Sequence, residues 1–213
     1  DHGRIKNANS VCLIGEDLQG DLQQALQRPV ALANDADCFS LSEATDGAGE
    51  NAATVFGVIL GTGVGGGIVV NGRLLQGPNA IAGEWGHNPL PLPEAADLPL
   101  PACYCGRRGC IETYLCGPAL TRDHAQQTGE TLTPALIDQR ANAGDPTCEA
   151  TLQRYEARLG RALAGVINLL DPQVIVLGGG LSNLQRLYRN LPACCGPRVF
   201  SDHFYTKILP PAH

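Results

Sequence analysis

The sequence contains no methionine, a single tryptophan and few charges, since 17% of its 213 residues are Asp, Glu, Lys or Arg. No apolar run approaches the ~20 residues that a membrane-spanning helix needs, and no cluster of Lys and Arg indicates a nucleic-acid surface. The first residues are polar, unlike a signal peptide. These absences argue against membrane, secreted and nucleic-acid-binding proteins and predict a cytoplasmic one. The lack of methionine, even as an initiator, predicts that the sequence is a fragment.

What the sequence does contain is typical of a globular protein. Hydrophobic residues make up 44% of it, the net charge is −6, and glycine is abundant, with 26 residues. Disordered chains have far fewer apolar residues, so this chain is expected to bury a core. Its length suits one large domain or two small ones.

Hydrophobic periodicity predicts helices that alternate with strands. The helices are predicted over residues 18–27, 36–44, 111–125, 134–143, 149–170 and 181–190. The strands are predicted over residues 29–33, 54–60, 68–70, 73–75 and 174–177. This alternation, with one hairpin turn at Asn71-Gly72, predicts a mixed α/β sheet in two lobes. A polar, glycine-containing loop at 46–51 places the boundary, so that residues 1–50 belong to an N-terminal lobe and residues 51–213 to a C-terminal lobe.

Cysteine is present in an odd number, nine, and Cys103, Cys105 and Cys110 lie close together. An odd count and tight clustering indicate a metal more than disulfides. With His87, the three thiolates complete a tetrahedral Zn²⁺ site with no position left for water, so the zinc would be structural. It would organise a zinc-binding loop over residues 87–112, which includes a proline-rich segment. The alternative is three buried or redox-inert cysteines.

Two glycine runs are candidates for nucleotide binding. Residues 61–67 form a glycine-rich turn between two strands, where exposed backbone N–H groups, helped by the Thr62 hydroxyl, can bind phosphate. A plain tight hairpin is an equally good interpretation. The second run, Gly178 to Gly180, follows a buried strand and precedes a helix. It can accept a nucleotide or simply allow close packing between strand and helix.

Four polar residues suggest chemistry on a sugar. Asp35 follows a predicted strand, where it can accept a proton from a hydroxyl, although by spacing alone a helix N-cap is the more common role. Glu84 and Glu112 would be drawn towards His87 by the zinc, and carboxylates and an imidazole suit the hydroxyls of a sugar. The alternative for each Glu is a solvated surface charge.

Six segments carry a resemblance to a known family: 6–10, 32–38, 61–67, 81–91, 103–112 and 171–180. They resemble the ROK family (repressors, open reading frames, kinases), and the wording of 83–91 and 103–106 is most similar to its bacterial fructokinases of the mannofructokinase type. The resemblance implies the actin-like ATPase (ribonuclease H-like) fold in two lobes.

The resemblance also implies roles for individual residues. Asp35 would be the catalytic base, and ATP with Mg²⁺ would donate the phosphoryl group. The expected sugar-binding residues are Asn9, Asn34, Glu84, His87 and Glu112. The expected phosphate-binding residues are Gly61, Thr62, Gly63, Gly65 and Gly66. Gly178, Gly179 and Gly180 would lie near the adenosine. The expected zinc ligands are His87, Cys103, Cys105 and Cys110. A homodimer is expected as well.

The chain departs from the family at both ends. Members begin with a strand that carries an Asp-x-Gly-Gly-Thr phosphate loop, which this sequence lacks, and they continue beyond its last residue. The N-terminal lobe is therefore expected to be incomplete. The expected function is an ATP-dependent sugar kinase that converts fructose to fructose 6-phosphate. The alternatives are an N-acetylglucosamine or glucose kinase, a transcriptional regulator with an additional DNA-binding domain, or a non-catalytic sugar-binding fragment.

Overall fold

A computed structural model of the protein describes residues 4–5 and 11–213. The chain separates into two units, Asp1–Asn34 and Asp35–His213. The predicted boundary lay later, at residue 50. The helix that begins at Asp35 packs against the sheet of the larger unit, and this packing groups residues 35–50 with that unit.

The smaller unit contains a 3₁₀ turn, Val11–Leu13, and the predicted helix α1, Leu18–Leu26. Asp17 caps α1 by accepting a hydrogen bond from the Gly20 N–H. The strand predicted over residues 29–33 is wrong, because this segment is irregular. Side chains of α1 use its backbone groups instead: Gln19 donates to the Val30 carbonyl, and Gln23 accepts from the Val30 N–H.

The larger unit is built on a five-stranded mixed sheet in the order β3-β2-β1-β4-β5. The strands are β1 Thr54–Leu60, β2 Val64–Val70, β3 Arg73–Leu74, β4 Val174–Gly178 and β5 Lys207–Leu209. Strand β1 is antiparallel to β2 and parallel to β4. The sequence predicted β1 correctly but started β2 four residues too late, and it missed β5. The glycines at the start of β2 pair with β1 in the ordinary antiparallel ladder.

The hairpin between β2 and β3 follows the predicted turn. Asn71 and Gly72 both have positive φ, 49° and 73°, which is the geometry that favours an Asn-Gly pair in a two-residue turn. Val70 and Arg73 flank it as paired residues. Among the described residues, no helix has both the length and the apolarity required to span a membrane.

Helices cover the two faces of the sheet. Helix α2, Asp35–Asp46, packs through Phe39 on a valine cluster from β1, β2 and β4. The opposite face packs against α3 Glu112–Leu115, α4 Gly117–Thr128, α5 Pro134–Asn142, α6 Pro146–Leu170 and α7 Arg186–Cys195. Because alternate residues of a strand face opposite sides, the continuous apolar runs of β1 and β4 fill both cores. The predicted α/β class is confirmed.

Most predicted helices differ from the observed ones by at most three residues at an end, but two differ by more. The helix predicted over 111–125 is broken at Cys116, because Pro118 at the start of α4 has no N–H with which to continue the helix from α3. The helix predicted over 181–190 begins instead as a 3₁₀ turn, Gly180–Asn183, and α7 starts only at Arg186.

Candidate functional site

The predicted metal ligands come together at one place on the larger unit. The ligand atoms of His87, Cys103, Cys105 and Cys110 all lie within 4.8 Å of one another. The Cys105 and Cys110 sulfurs are 3.7 Å apart, and the Cys103 sulfur is 3.6 Å from Nδ1 of His87. All four residues except Cys105 are at least partly buried.

These separations fit a tetrahedral metal. With Zn–S near ~2.3 Å and Zn–N near ~2.0–2.1 Å, two sulfurs of a tetrahedron lie about 3.8 Å apart, and a sulfur and a nitrogen about 3.6 Å apart. A disulfide would bring two sulfurs to about 2.0 Å, and all three cysteines are free thiols. Burial raises the pKa of Cys110 to about 12, so a bound cation is what would favour its thiolate.

The segment that precedes Cys103 is held by buried charges as well as by the cysteine cluster. The Asp97 carboxylate accepts hydrogen bonds from Arg158 at 2.7 Å and Arg161 at 2.6 Å, both on α6. All three side chains are at most 6% exposed. Tyr114 donates to the Asp97 carbonyl. Asp97, near the middle of the proline-rich segment, therefore attaches this segment to helix α6.

His87 presents its two ring nitrogens to different neighbours. Nδ1 faces Cys103, whereas Nε2 lies 2.9 Å from the hydroxyl of Tyr104. The two rings meet edge to face, with their centroids 5.1 Å apart. Partial desolvation, and then the nearby Glu112 carboxylate, the Cys103 thiol and the Glu84 carboxylate, raise the pKa of Tyr104, although most of the residue is exposed. The outward side of His87 therefore faces a phenol that lies within the field of both carboxylates predicted to bind sugar.

Glu112 connects the cysteine cluster to the glycine turn. It begins α3, two residues after Cys110, and its carboxylate accepts a hydrogen bond from the Val64 N–H at 3.0 Å. On the other side of the turn, the Gly117 N–H donates to the Gly61 carbonyl. Both ends of the turn are thus bonded to the segment that follows the third cysteine.

The glycines predicted as a single phosphate loop fall into two groups. Gly61, Thr62 and Gly63 form the turn between β1 and β2, whereas Gly65 and Gly66 lie inside β2. A Cβ at Gly61 would point into open space, and one at Gly63 would meet the Glu112 carboxylate. The turn therefore stays open to a ligand, whereas the strand glycines have a packing role.

Strand β2 is approached closely on both faces. Gly65 and Gly67 face α2, where a Cβ would contact Ala36 and Ser40. Gly66 faces the opposite way, and a Cβ there would lie 2.9 Å from both the Gly83 carbonyl and the Trp85 ring. Trp85 also donates its indole N–H to the Gly65 carbonyl at 2.9 Å. The absence of side chains lets the start of α2 and the segment that carries Glu84 and His87 lie against one strand.

The second glycine run lies beside the first. Because β1 and β4 are parallel, with Ile59 paired to Gly178, the turn after β1 and the run after β4 leave the same edge of the sheet. Gly178 packs against the Phe39 ring, and Gly179, with φ at 80°, packs against the Leu60 carbonyl. Only at Gly180 would a Cβ meet nothing. Close packing, one of the two interpretations, therefore accounts for Gly178 and Gly179.

Asp35 is the first residue of α2 and is exposed. Its carboxylate accepts a hydrogen bond from the Ala36 N–H. Because Ala36 lies next to Gly65 of β2, Asp35 is adjacent in sequence to a residue that packs on this glycine-rich strand. Asn34 is the last residue of the smaller unit. Asn9 lies outside the described residues.

Sequence reasoning missed two features of this region. The sequence analysis assigned no role to Tyr104, whose contact with His87 depends on the loop conformation. Asp97 was passed over within the proline-rich segment. Its signal was weaker, since its two arginine partners lie more than 60 residues away on α6.

Comparisons with known proteins identify relatives of this chain. The N-acetyl-D-glucosamine kinase of Yersinia pseudotuberculosis is 42% identical over 196 residues, which cover 90% of this chain and 64% of that protein. The chain thus spans less than two thirds of the length of this relative.

Solved structures share the fold. A ROK family glucokinase from Streptomyces griseus, in complex with glucose and AMPPNP, has a TM-score of 0.81 and 27% identity, covering 94% of this chain and 69% of that one. A ROK family transcriptional regulator, a homologue of the Escherichia coli MLC protein, also has a TM-score of 0.81 and 27% identity, covering 94% of this chain and 52% of its own.

The sequence model of the ROK family matches residues 1–213. The mixed sheet with helices on both faces is the actin-like ATPase fold that the resemblance implied. Sequence motifs, fold and relatives therefore agree, and the chain belongs to the ROK family.

Proposed function

We propose that the protein is an ATP-dependent kinase that phosphorylates a hydroxyl of a hexose. One observation carries the proposal: the Glu112 carboxylate, a candidate sugar ligand, accepts a hydrogen bond from Val64 at the end of the glycine turn. A sugar held beside Glu112 would lie next to the glycine turn that we propose binds phosphate. The acceptor and the donor of a phosphoryl group would thus be neighbours within one unit.

Phosphoryl transfer needs positioning and charge stabilisation more than covalent chemistry by the protein. Asp35 would accept the proton of the attacking hydroxyl, which turns the hydroxyl oxygen towards the phosphate. Backbone N–H groups of the open turn at Gly61–Gly63 would bind phosphate oxygens. ATP would supply the phosphoryl group, and Mg²⁺ would offset its charge.

We propose a structural zinc in the cysteine cluster. Four protein ligands of this kind saturate the metal and leave no position for a reacting water. The orientation of His87 supports two simultaneous roles, since Nδ1 faces the metal ligands and Nε2 faces outward. The zinc would then fix the imidazole so that its outer N–H can donate to a sugar hydroxyl.

For the sugar itself we propose fructose, because the sequences of residues 83–91 and 103–106 resemble those of bacterial fructokinases. N-Acetyl-D-glucosamine is the second candidate, and the relative of that specificity at 42% identity supports it. Fructose is a 2-ketohexose, whereas N-acetyl-D-glucosamine is an aldohexose that carries an acetamido group, a bulky substituent that a pocket can reject by shape.

A regulator role is the rival from another class, because a ROK transcriptional regulator shares the fold. It would bind a sugar without turnover. The position of Asp35 beside the glycine strand supports the kinase.

ADP release by the full-length protein, measured over fructose, glucose, mannose and N-acetyl-D-glucosamine, tests the proposal. Sugar-dependent ADP release is the expected result, with the highest kcat/KM for fructose. Calorimetric sugar binding with no ADP release from any sugar would support the regulator and end the kinase proposal. A preference for N-acetyl-D-glucosamine would replace fructose with the second candidate.

A further inference from the structure

Tyr104 has an unusual position for a large aromatic residue. It lies between Cys103 and Cys105, yet the residue is 69% exposed and does not belong to the core. Its hydroxyl is 2.9 Å from Nε2 of His87, and its ring meets the imidazole at an interplanar angle of 85°. Since the ring buries little area, the packing of the core does not explain its presence.

The contact with His87 involves the nitrogen that a substrate would use. Nδ1 of His87 lies beside Cys103. If Nδ1 binds the proposed zinc, Nε2 carries the proton of the neutral imidazole, and its N–H would then donate to the Tyr104 oxygen 2.9 Å away. A sugar hydroxyl bound to His87 would accept that same N–H. The tyrosine and the sugar therefore compete for one donor.

The tyrosine ring cannot move far from this donor. Its backbone lies between two residues of the cysteine cluster, and the Cys103 N–H donates to the Arg107 carbonyl in a tight loop. Displacement by a sugar would rotate the ring about its side-chain bonds and leave it beside the bound molecule. A phenol presents an apolar face and one polar group, a combination that suits a sugar with C–H and O–H groups.

We propose that Tyr104 determines which hexose the site accepts, by occupying the space next to His87 that a substituent on the sugar would need. This inference rests on the proposed function. With Tyr104 in place, the site should prefer an unsubstituted hexose to an N-acetylated hexosamine. One added group in a pocket changes selectivity by roughly 10–200-fold, and an effect of this order is expected here.

The test compares kcat/KM for fructose and for N-acetyl-D-glucosamine in wild type, Tyr104→Ala and Tyr104→Phe, with zinc content measured for each protein. Tyr104→Ala is expected to shift the ratio by about tenfold or more towards the acetylated sugar. Tyr104→Phe keeps the ring, so its ratio should stay near that of wild type while its KM for sugar changes. Tyr205→Ala is the matched control, because Tyr205 is also exposed but lines a cavity at the start of β4 and β5.

The outcomes separate the inference from the function on which it rests. If wild type phosphorylates no sugar, the proposed function fails. If wild type is active, and Tyr104→Ala retains zinc but has the wild-type ratio of kcat/KM values, the tyrosine does not select the sugar. Tyr104→Ser repeats the comparison in case the alanine variant loses zinc. Loss of zinc from both variants would assign Tyr104 to the metal loop alone and overturn the inference.

Discussion

The Glu112 carboxylate and the Val64 N–H form a hydrogen bond of 3.0 Å that links the segment after the third cysteine to the first residue of β2. A Cβ on Gly63 would lie 2.6 Å from the same carboxylate. The contact thus requires glycine in the turn and an acidic residue at the start of α3. A change in Glu112 should affect the nucleotide side of the site as well as the sugar side.

Glu112→Ala is expected to weaken binding of an ATP analogue measured without sugar. An unsatisfied backbone donor costs about 1–3 kcal/mol, and each 1.4 kcal/mol is a factor of ten, so the dissociation constant should rise by about fivefold or more. Calorimetric titration of the full-length protein measures it. The control is Glu84→Ala, which should raise the KM for sugar only. Unchanged nucleotide affinity in Glu112→Ala would show that the bond to Val64 does not shape the turn.

Asp35→Asn should lower kcat while sugar binding remains. Loss of a general base costs typically ~10²–10⁴-fold in rate, and the amide preserves the size of the side chain and its ability to accept from the Ala36 N–H. Asp46→Asn, at the other end of α2, is the control and should leave kcat unchanged. Steady-state kinetics and sugar titration decide the outcome, and a normal kcat in Asp35→Asn would remove the catalytic assignment.

Cys110→Ser is expected to abolish stoichiometric zinc and to lower the thermal midpoint. A tetrahedral site that loses one thiolate is left with three protein ligands, and the buried position of Cys110 offers little room for a water in its place. Elemental analysis of the purified protein measures the metal. Cys38→Ser, at an exposed cysteine outside the cluster, should retain it. Full zinc in Cys110→Ser would contradict the ligand assignment.

Asp97→Asn should destabilise the protein strongly even with zinc bound. Removing one charge of a buried ion pair costs about 3–5 kcal/mol when its partner is left uncompensated. Arg158 and Arg161 lose their shared carboxylate, but Arg158 still pairs with Asp123 and Arg161 with Glu94, so the loss should lie near the lower end of that range. Urea denaturation measures the change. The matched control is Glu130→Gln, whose partner Arg140 is exposed, and about 0–1 kcal/mol is expected there. Similar losses in the two variants would refute the anchoring role of Asp97.

Glu149 gives the stability a dependence on pH. Hydrogen bonds from Arg186 lower the pKa of Glu149 from 4.5 to about 2. Since the folded pKa is lower than the unfolded one, the contribution to stability is complete above pH 4.5 and is lost as the pH falls towards 2. Glu149→Gln should therefore be less stable than wild type at pH 7, and the difference should close between pH 4.5 and 2. Exposed Glu50→Gln serves as the control, and a difference that is constant with pH would contradict the prediction.

Much of the fold was predictable because its signals are local. The β-branched run of β1, the Asn-Gly turn and the start of α1 each depend on a few adjacent residues, and all were correct. The failed strand over 29–33 shows the limit of this reasoning. A β-prone segment is a strand only if another strand pairs with it, and here the side chains of Gln19 and Gln23 bind its backbone instead.

The candidate site divides in the same way. Ligand types and spacing were enough to predict that His87 and the three cysteines lie together, since these residue types at this spacing are typical of tetrahedral metal sites. The separate roles of the glycines could not be predicted. Whether Gly65 and Gly66 face a ligand or a neighbouring segment depends on strand register and on contacts with Ala36 and Gly83, which are set by tertiary packing.

The glycines of β2 have a consequence for how the site can change. Side chains adapt to a new neighbour by changing rotamers, but Gly65, Gly66 and Gly67 have none to change. Helix α2 and the segment around Trp85 therefore rest directly on backbone, which is rigid within a paired sheet. The distance between helix α2 and the Trp85 segment is therefore fixed by the backbone of β2. New sugar preferences would have to arise in the loops at its rim, where a substitution leaves this spacing untouched.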